Sequence, residues 1–420
     1  MDAVGVELVL APGRTGAILG YVLFGIALGT CSGLIPGLHA NNFALLLASL
    51  VVILPGDPLL VGVAMLAAGV VHTFLDVIPA LAIGVPDAEM AMMALPGHRM
   101  VLEGRGQEAL YLSALGSGIA VLFAIPLAVP ITLAMIRWYP VLARHMPAIL
   151  GMMAAVMVLT EPNARAKAGG LLAFFVSAGF GWLIVDLEPT APLDGGGVLA
   201  PLFAGLFGAP VIVDALRGGS MPPQRAAAIK VRRWGVVVPA TAGSAAGAFV
   251  GYLPGVSSAI AAVIALTVAP NEDPDRGFIV ATSGVDTANT IFALFALVAL
   301  GTPRTGVLVA IEQAEVPVNL PVMLLTVAIA AGVSFVLVIV VGRWYLEVIG
   351  SLDYTIVCAA VMTMLLVLSF LFAGPIGVLI FFISAMIGFI PVRTGAKRVH
   401  LMGVLMGPIM VWTWQYPIVF

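Results

Sequence analysis

From Tyr111 to Ile136 the chain carries no charged residue, and several other stretches are equally free of charge. An apolar run of this length is what an α-helix needs to cross the hydrocarbon of a bilayer. Comparable runs extend from about Ala17 to Ile35, Leu60 to Phe74, Leu171 to Ile184, Val198 to Val213, Val236 to Leu253, Pro321 to Val341 and Val357 to Ile390. The last is long enough for two spans. Only 9% of the residues are charged and the mean hydropathy is +1.15, whereas a soluble domain carries about a quarter charged residues. The expected fold is an all-α polytopic membrane protein with about ten to twelve transmembrane or re-entrant helices, residing as a multi-pass protein in the cell membrane.

The few charges still orient the chain. Asp186 to Asp194 contains three acids and no base, while Arg217 to Arg233 contains Arg217, Arg225, Lys230, Arg232 and Arg233. One span separates them, so the basic-inside bias places the first loop outside and the second in the cytoplasm. The segment with Arg393, Lys397 and Arg398 falls on the cytoplasmic side by the same reasoning. No basic block points to nucleic acid. Cys31 and Cys358 lie in apolar runs without a CxxC motif or a cysteine and histidine cluster, and are expected to be packing residues. Asp2 and Glu7 precede the first run in place of a basic start, so that run is expected to remain as a span.

A repeat is written into the chain. Gly25, Gly29 and Gly33 lead to Pro36-Gly37, and Gly243, Gly247 and Gly251 lead to Pro254-Gly255 with identical spacing. Further on, Gly84-Val85-Pro86 is matched by Gly301-Thr302-Pro303 at nearly the same offset. The expected organisation is a first transmembrane repeat over 15–215, a basic cytoplasmic connection over 216–234, and a second repeat over 230–415, inverted relative to the first. Glycines four apart line one helical face and let another backbone approach closely. Proline then ends or kinks the helix. The freed backbone groups are tolerated only inside protein or around a wet cavity, so broken helices at corresponding positions of two repeats mark a transporter's substrate site near the midplane.

The residues at and after each break fit an anion site: Pro36, Gly37, His39, Asn41 and Asn42 in the first half, Pro254, Gly255, Ser257 and Ser258 in the second. Amides at the start of a resuming helix favour a negative charge. The plainer alternative is that Ser and Asn serve as helix caps there.

These stretches resemble a known family. PGLHANNFALLLASLVVILP, then the GVP turn, then LPGHRMVLEGRGQEALYLSALGS is similar to the first half of the large membrane subunit of tripartite tricarboxylate transporters, and VLAPLFAGLFGAPVIVDAL to its middle. In the third motif Arg99 stands where the family has proline, and HTFLDVIPALAI replaces a glycine-rich stretch. The resemblance implies an ion-driven uptake permease for carboxylates, without fixing a citrate-like substrate. It also implies a small membrane subunit and an extracytoplasmic binding protein as partners beside the lipid bilayer and the small anionic solute. A homodimer stays open as the assembly.

Charges inside apolar sequence are functional candidates, because each is unfavourable at the bilayer centre. They are Asp76, Asp286, Arg304 and Glu312, with Asp214 nearer a cytoplasmic end and Asp87 and Glu89 flanking the GVP turn. Arg304, following Gly-Thr-Pro, suits bidentate binding of a substrate carboxylate with Thr302 beside it; the alternative is an interfacial arginine reaching for headgroups. Asp286, Asn289 and Thr290 share a helical face and offer hard oxygen ligands to a coupling ion, either Na+ or H+. His72, Thr73 and Asp76 form the corresponding face in the first half. The alternative for Asp286 is a structural pairing with Arg304 or with a backbone group. No cofactor other than the coupling ion and no structural metal is expected.

An enzyme is disfavoured, since no H-E-x-x-H or Gly-x-Gly-Asp constellation occurs. An ion or solute channel built from the same re-entrant segments remains the alternative to a permease.

Overall fold

The structure is a computed structural model describing residues 12–36, 57–84, 94–192, 197–215, 222–225, 232–253, 256, 258–269 and 273–415. Among these residues the chain is helical, with no strand. The elements are α1 (Pro12–Gly33), α2 (Pro58–Leu75), α3 (Val77–Ile83), α4 (Ala94–Leu102), α5 (Gly106–Arg144), α6 (Met146–Leu159), α7 (Ala164–Ile184), α8 (Leu199–Phe203), α9 (Ala209–Ala215), α10 (Trp234–Val250), α11 (Ser258–Val268), α12 (Pro274–Leu300), α13 (Gly306–Gln313), α14 (Leu320–Ser351), α15 (Tyr354–Thr394) and α16 (Gly403–Gln415). A π-turn over Ala204–Gly208 joins α8 to α9, and a 3-10 turn over Arg398–Met402 precedes α16.

Seven helices among the described residues are long and apolar enough to span a membrane: α1, α2 continued by α3, α5, α7, α12, α14 and α15, with three shorter apolar ones at 146–159, 199–213 and 234–250. The outward faces are apolar as well: Leu122, Leu183 and Met386 are 77%, 71% and 75% exposed. Such a surface suits lipid rather than water. Side chains of Asp57, Asn163, Asp273, Asn319 and Asp353 accept amide hydrogens at the starts of α2, α7, α12, α14 and α15, which is where caps belong. Two of the outcomes differ from the sequence reading. The span α12 is absent from the clear apolar runs because Asp286 interrupts it, and Cys31 is exposed on α1 rather than packed, while Cys358 is buried.

The glycine faces work as the sequence requires. A Cβ on Gly25 would strike the Ala64 carbonyl, one on Gly29 the Ala68 carbonyl, and one on Gly33 would lie 2.9 Å from Leu75 Cβ, so α1 runs parallel to α2 in close backbone contact. Gly243 meets the Ala281 carbonyl, Gly247 meets Val285 and Ala288, and Gly251 meets Phe292, so α10 runs parallel to α12 in the same way. Without a hydrophobic drive between helices in lipid, this close approach supplies the packing.

The two pairs run in opposite directions. Gly97 of α4 touches both Leu81 and, more distantly, Ile279, which brings the end of α3 to the beginning of α12. Asp76 keeps right-handed helical dihedrals between α2 and α3, so the continuous span 58–83 lies antiparallel to α12. The longer helix α5 runs alongside α12 in the same direction, tied by Glu108 to Arg276 at 2.6 Å, by the Ser113 and Ser283 hydroxyls at 2.8 Å, and by Gly116 against the Val280 carbonyl. Leu346, Gly342 and Phe335 meet Gly106, Leu110 and Gly118 in turn, so α14 is antiparallel to α5.

In α15 the helix breaks at Ala373 and Gly374, where Gly374 has φ +60. A Cβ on Gly377 would lie 2.7 Å from Ala373 and also strike the Ser369 carbonyl, a contact across the break that a straight helix does not allow. The run 357–390 therefore forms two arms, as its length suggested. Gly374 packs on the Thr190 carbonyl, so the turn of α15 lies with the acidic loop that holds Asp186 and Glu188. Gln224 bonds Val101 and Gly106, and the Arg225 amide bonds the Gly104 carbonyl, which places 222–225 at the start of α5, the end opposite to that turn. Arg165 donates to the Arg393 carbonyl at the end to which α15 returns. Residues 222–225, with Arg225, and the segment with Asp186 and Glu188 thus lie at opposite ends of the bundle, in keeping with their opposite charge. The returning end is stapled by a buried pair, Glu161 and His400 at 2.8 Å, with the Lys397 amide on the same carboxylate oxygen. Burial holds the His400 imidazole below the ordinary histidine range, against the upward pull of Glu161.

Candidate functional site

Polar side chains gather where α1 and α10 end. Gly33 packs on Leu75 and Asp76, and Gly251 on Phe292 and Ala293, both within about two turns of the middle of the long helices they flank. Here His72 of α2, fully buried, shares a hydrogen bond of 2.9 Å through Nδ1 with the Ser32 hydroxyl of α1. Asp76 follows at the junction with α3, its amide bonded to the His72 carbonyl at 2.9 Å. In the other half Asp286 of α12, 1% exposed, accepts from the Ser258 hydroxyl at the start of α11 at 3.2 Å. Asn289 lies one turn further along α12, buried. Thr287 and Thr282 place buried hydroxyls nearby that have no hydrogen-bond partner among the described residues.

The antiparallel arrangement sets these groups at one height. His72 lies nine residues before Leu81 and Asn289 ten residues after Ile279, about 13.5 and 15 Å of helix respectively. With Leu81 and Ile279 neighbours across Gly97, His72 and Asn289 occupy the same level of the bundle. The two sequence-predicted faces therefore lie at one level of the bundle, His72, Asp76, Asp286 and Asn289 forming a buried polar layer. Thr73 and Thr290 stand apart from it in one respect: their hydroxyls bond the Val70 and Asp286 carbonyls of their own helices.

Arg304 occupies a second position. Gly301, with φ +62, caps α12 and reverses the chain. Val307, at the start of α13, then packs on Gly69 of α2, 2.7 Å from where a Cβ would be. Gly69 is level with Ile291 by the same reckoning, so the segment 301–307 turns back into the bundle from the end of α12 instead of leaving it. Arg304 lies on this re-entrant segment. Its Nη2 donates to the Tyr139 hydroxyl, and the guanidinium carbon is 5.6 Å from the Tyr139 ring centroid. Arg304 Nε and Thr302 Oγ1 are buried and lack partners among the described residues. Such donors are unfavourable unless something accepts from them. Arg304 is thus held by Tyr139, while Asp286 is bonded by Ser258.

Pro36 is buried in the turn that follows α1. Gly37, His39, Asn41, Asn42, Pro254, Gly255 and Ser257 lie outside the described residues, as do Asp87 and Glu89. Glu312 is exposed at the end of α13. Ser32, Tyr139 and the Glu108 to Arg276 bridge escaped the sequence reading. Ser32 had a usable signal, since it lies beside Gly33 on a helix whose glycine face packs closely. Tyr139 had none, because its partner is 165 residues away.

A bundle of apolar helices with a buried polar layer and a re-entrant cationic segment is a polytopic membrane transport protein in class. The chain belongs to the tripartite tricarboxylate transporter TctA family, which it matches over residues 19–403; it is a family of transporters and not of enzymes, and its members are the large subunit of tripartite systems. An uncharacterized protein of Methanocaldococcus jannaschii is 26% identical over 408 residues, covering 93% of this chain and 98% of the relative. No solved structure gives a significant match.

Proposed function

We propose that the chain is a secondary active permease that imports a small carboxylate with a cation, Na+ or H+, and that the substrate binds between the re-entrant Arg304 segment and the buried polar layer. The observation that carries this reading is the pair of buried donors, Arg304 Nε and Thr302 Oγ1, without partners among the described residues, on a segment that turns back into the bundle beside α12. A planar guanidinium with open donors fits a carboxylate. Buried Asp286 and Asn289, with the Ser258 hydroxyl, supply hard oxygen ligands or a proton site deeper in the bundle. In this reading Gly37, His39, Asn41, Asn42, Pro254, Gly255 and Ser257 belong to the substrate site on the sequence argument, because they lie in and just after the duplicated Pro-Gly breaks. Family membership supports a small membrane subunit and an extracytoplasmic binding protein as partners.

Uptake of radiolabelled citrate, succinate and acetate into proteoliposomes, with imposed sodium or proton gradients, tests the reading. Gradient-dependent, saturable uptake of at least one is expected. Arg304→Lys keeps the charge and loses the planar fork, so its half-saturating concentration should rise about tenfold, the loss of one charge-assisted hydrogen bond. Unchanged half-saturation in a normally inserted Arg304→Lys protein would remove the arginine from the site.

The 15–215 and 230–415 halves are, in the same proposal, inverted repeats joined by 216–234. Matching glycine contacts on parallel pairs that themselves run antiparallel support it. Single cysteines at Gly13 and Arg225 should react with an impermeant maleimide from opposite sides of the membrane. Labelling of both from one side sinks the inverted arrangement.

A further inference from the structure

Helix α5 belongs to the first half, yet near its far end it grips two motif segments of the second. Thr132 shares a hydrogen bond of 2.6 Å with the hydroxyl of Tyr252, which lies two residues before Pro254. Seven residues on, Tyr139 accepts from Arg304 Nη2 with its hydroxyl and offers its ring to the guanidinium at 5.6 Å. Positions seven apart fall on one helical face. Tyr139 is 2% exposed and Tyr252 fully buried, so both contacts are inside the protein. The remaining side-chain nitrogen nearest the backbone, Arg304 Nε, is buried without a partner among the described residues.

An arginine side chain has many rotamers, and a ligand that orders it loses affinity in doing so; a partner that fixes the fork beforehand removes that loss. We propose that Tyr139 is a positioning residue for the carboxylate site, holding Arg304 in the orientation that presents its open donors, Nε among them, to the substrate. The proposal rests on the reading of Arg304 as a carboxylate ligand, and it makes a first-half helix a determinant of anion affinity in the second half. Tyr139 acts through Arg304 and touches no substrate.

A double-mutant cycle on the purified full chain in detergent, with citrate binding followed by titration calorimetry, separates the two claims. Tyr139→Phe retains the ring and loses the hydroxyl acceptor, so the citrate Kd should rise about three- to tenfold, with the ligand-free melting temperature close to wild type. Arg304→Lys should weaken binding about tenfold. Because Tyr139 acts only through the arginine, adding Tyr139→Phe to Arg304→Lys should change the Kd less than about twofold. A purely structural role for Tyr139 predicts additive losses instead, and additive losses overturn the proposal, as does wild-type affinity in Tyr139→Phe. If Arg304→Lys binds citrate normally, or the wild type binds none of citrate, succinate and acetate, the carboxylate reading of Arg304 falls and the positioning role falls with it; a wild type that binds succinate or acetate and not citrate is carried through the same cycle with that ligand. Should Tyr139→Phe melt far below wild type, the same cycle is read well below its melting temperature, where additive losses overturn the proposal and non-additive losses support it.

Discussion

Asp286→Asn is expected to lower gradient-driven uptake by about tenfold or more, the scale of one lost interaction with a charged group, while the protein inserts at normal abundance. Asparagine has nearly the shape of aspartate, and the Ser258 hydroxyl can still donate to its carbonyl oxygen in place of Asp286 Oδ1. What disappears is the negative charge. In a position 1% exposed at the middle of α12, that charge is the strongest attraction available to a cation. The defect should therefore appear in the ion dependence, with a weaker response of uptake to the sodium or proton gradient, whereas Arg304→Lys shifts the substrate concentration dependence. Wild-type ion dependence in Asp286→Asn at wild-type abundance would take Asp286 out of coupling and leave His72 and Asp76 as the remaining titratable groups of the layer.

The largest structural effect is expected at the glycine faces. Gly247→Leu places a Cβ 2.5 Å from the Val285 carbonyl oxygen and 2.7 Å from Ala288 Cβ before the rest of the side chain is counted. Neither neighbour can move away, since one is backbone and the other a short side chain on a packed helix. Overpacking of a tight interior costs about 1–3 kcal/mol, occasionally more, and here the strained contact joins α10 to α12, the helix that bears Asp286. Gly29→Leu should act alike between α1 and α2, where the Ala68 carbonyl and Val71 Cβ close the space. Gly332→Ala meets nothing within 4 Å and serves as the control. Melting temperatures in detergent should fall by several degrees for the two leucine variants and stay at wild type for the alanine one. Equal stability of Gly247→Leu and Gly332→Ala would show that α10 and α12 do not need their close approach.

Much of the architecture was legible because membrane insertion is governed by local sequence. An uncharged run long enough to cross hydrocarbon has to be a helix, and eight of the runs read from the sequence lie in helices, the longest in both arms of α15. The span α12 was harder to see for a physical reason: Asp286 lowers its apolarity, and that same residue gives it a part in the site. The glycine spacing named the faces that touch, and Gly25, Gly29, Gly33, Gly243, Gly247 and Gly251 all pack against backbone or Cβ atoms of a neighbouring helix.

The site was legible only in its ingredients. Buried polar residues at His72, Asp76, Asp286 and Asn289 stand out in apolar sequence, since a polar group among lipid-spanning residues is too unfavourable to be incidental. That His72 bonds Ser32, that Asp286 bonds Ser258 and that Arg304 bonds Tyr139 depends on helix direction and lateral order, which no periodicity encodes. The sequence by itself determined the class of protein, the positions of most spans and the glycine faces on which helices pack, because hydrophobicity and the missing glycine side chain act locally. The tertiary structure alone decided that segment 301–307 turns back into the bundle, that His72 and Asn289 share one level, and that Arg304 is held by the first half instead of pairing with Asp286. Those outcomes follow from which helices lie side by side and in which direction, and contacts between residues more than a hundred positions apart leave no mark on the local pattern.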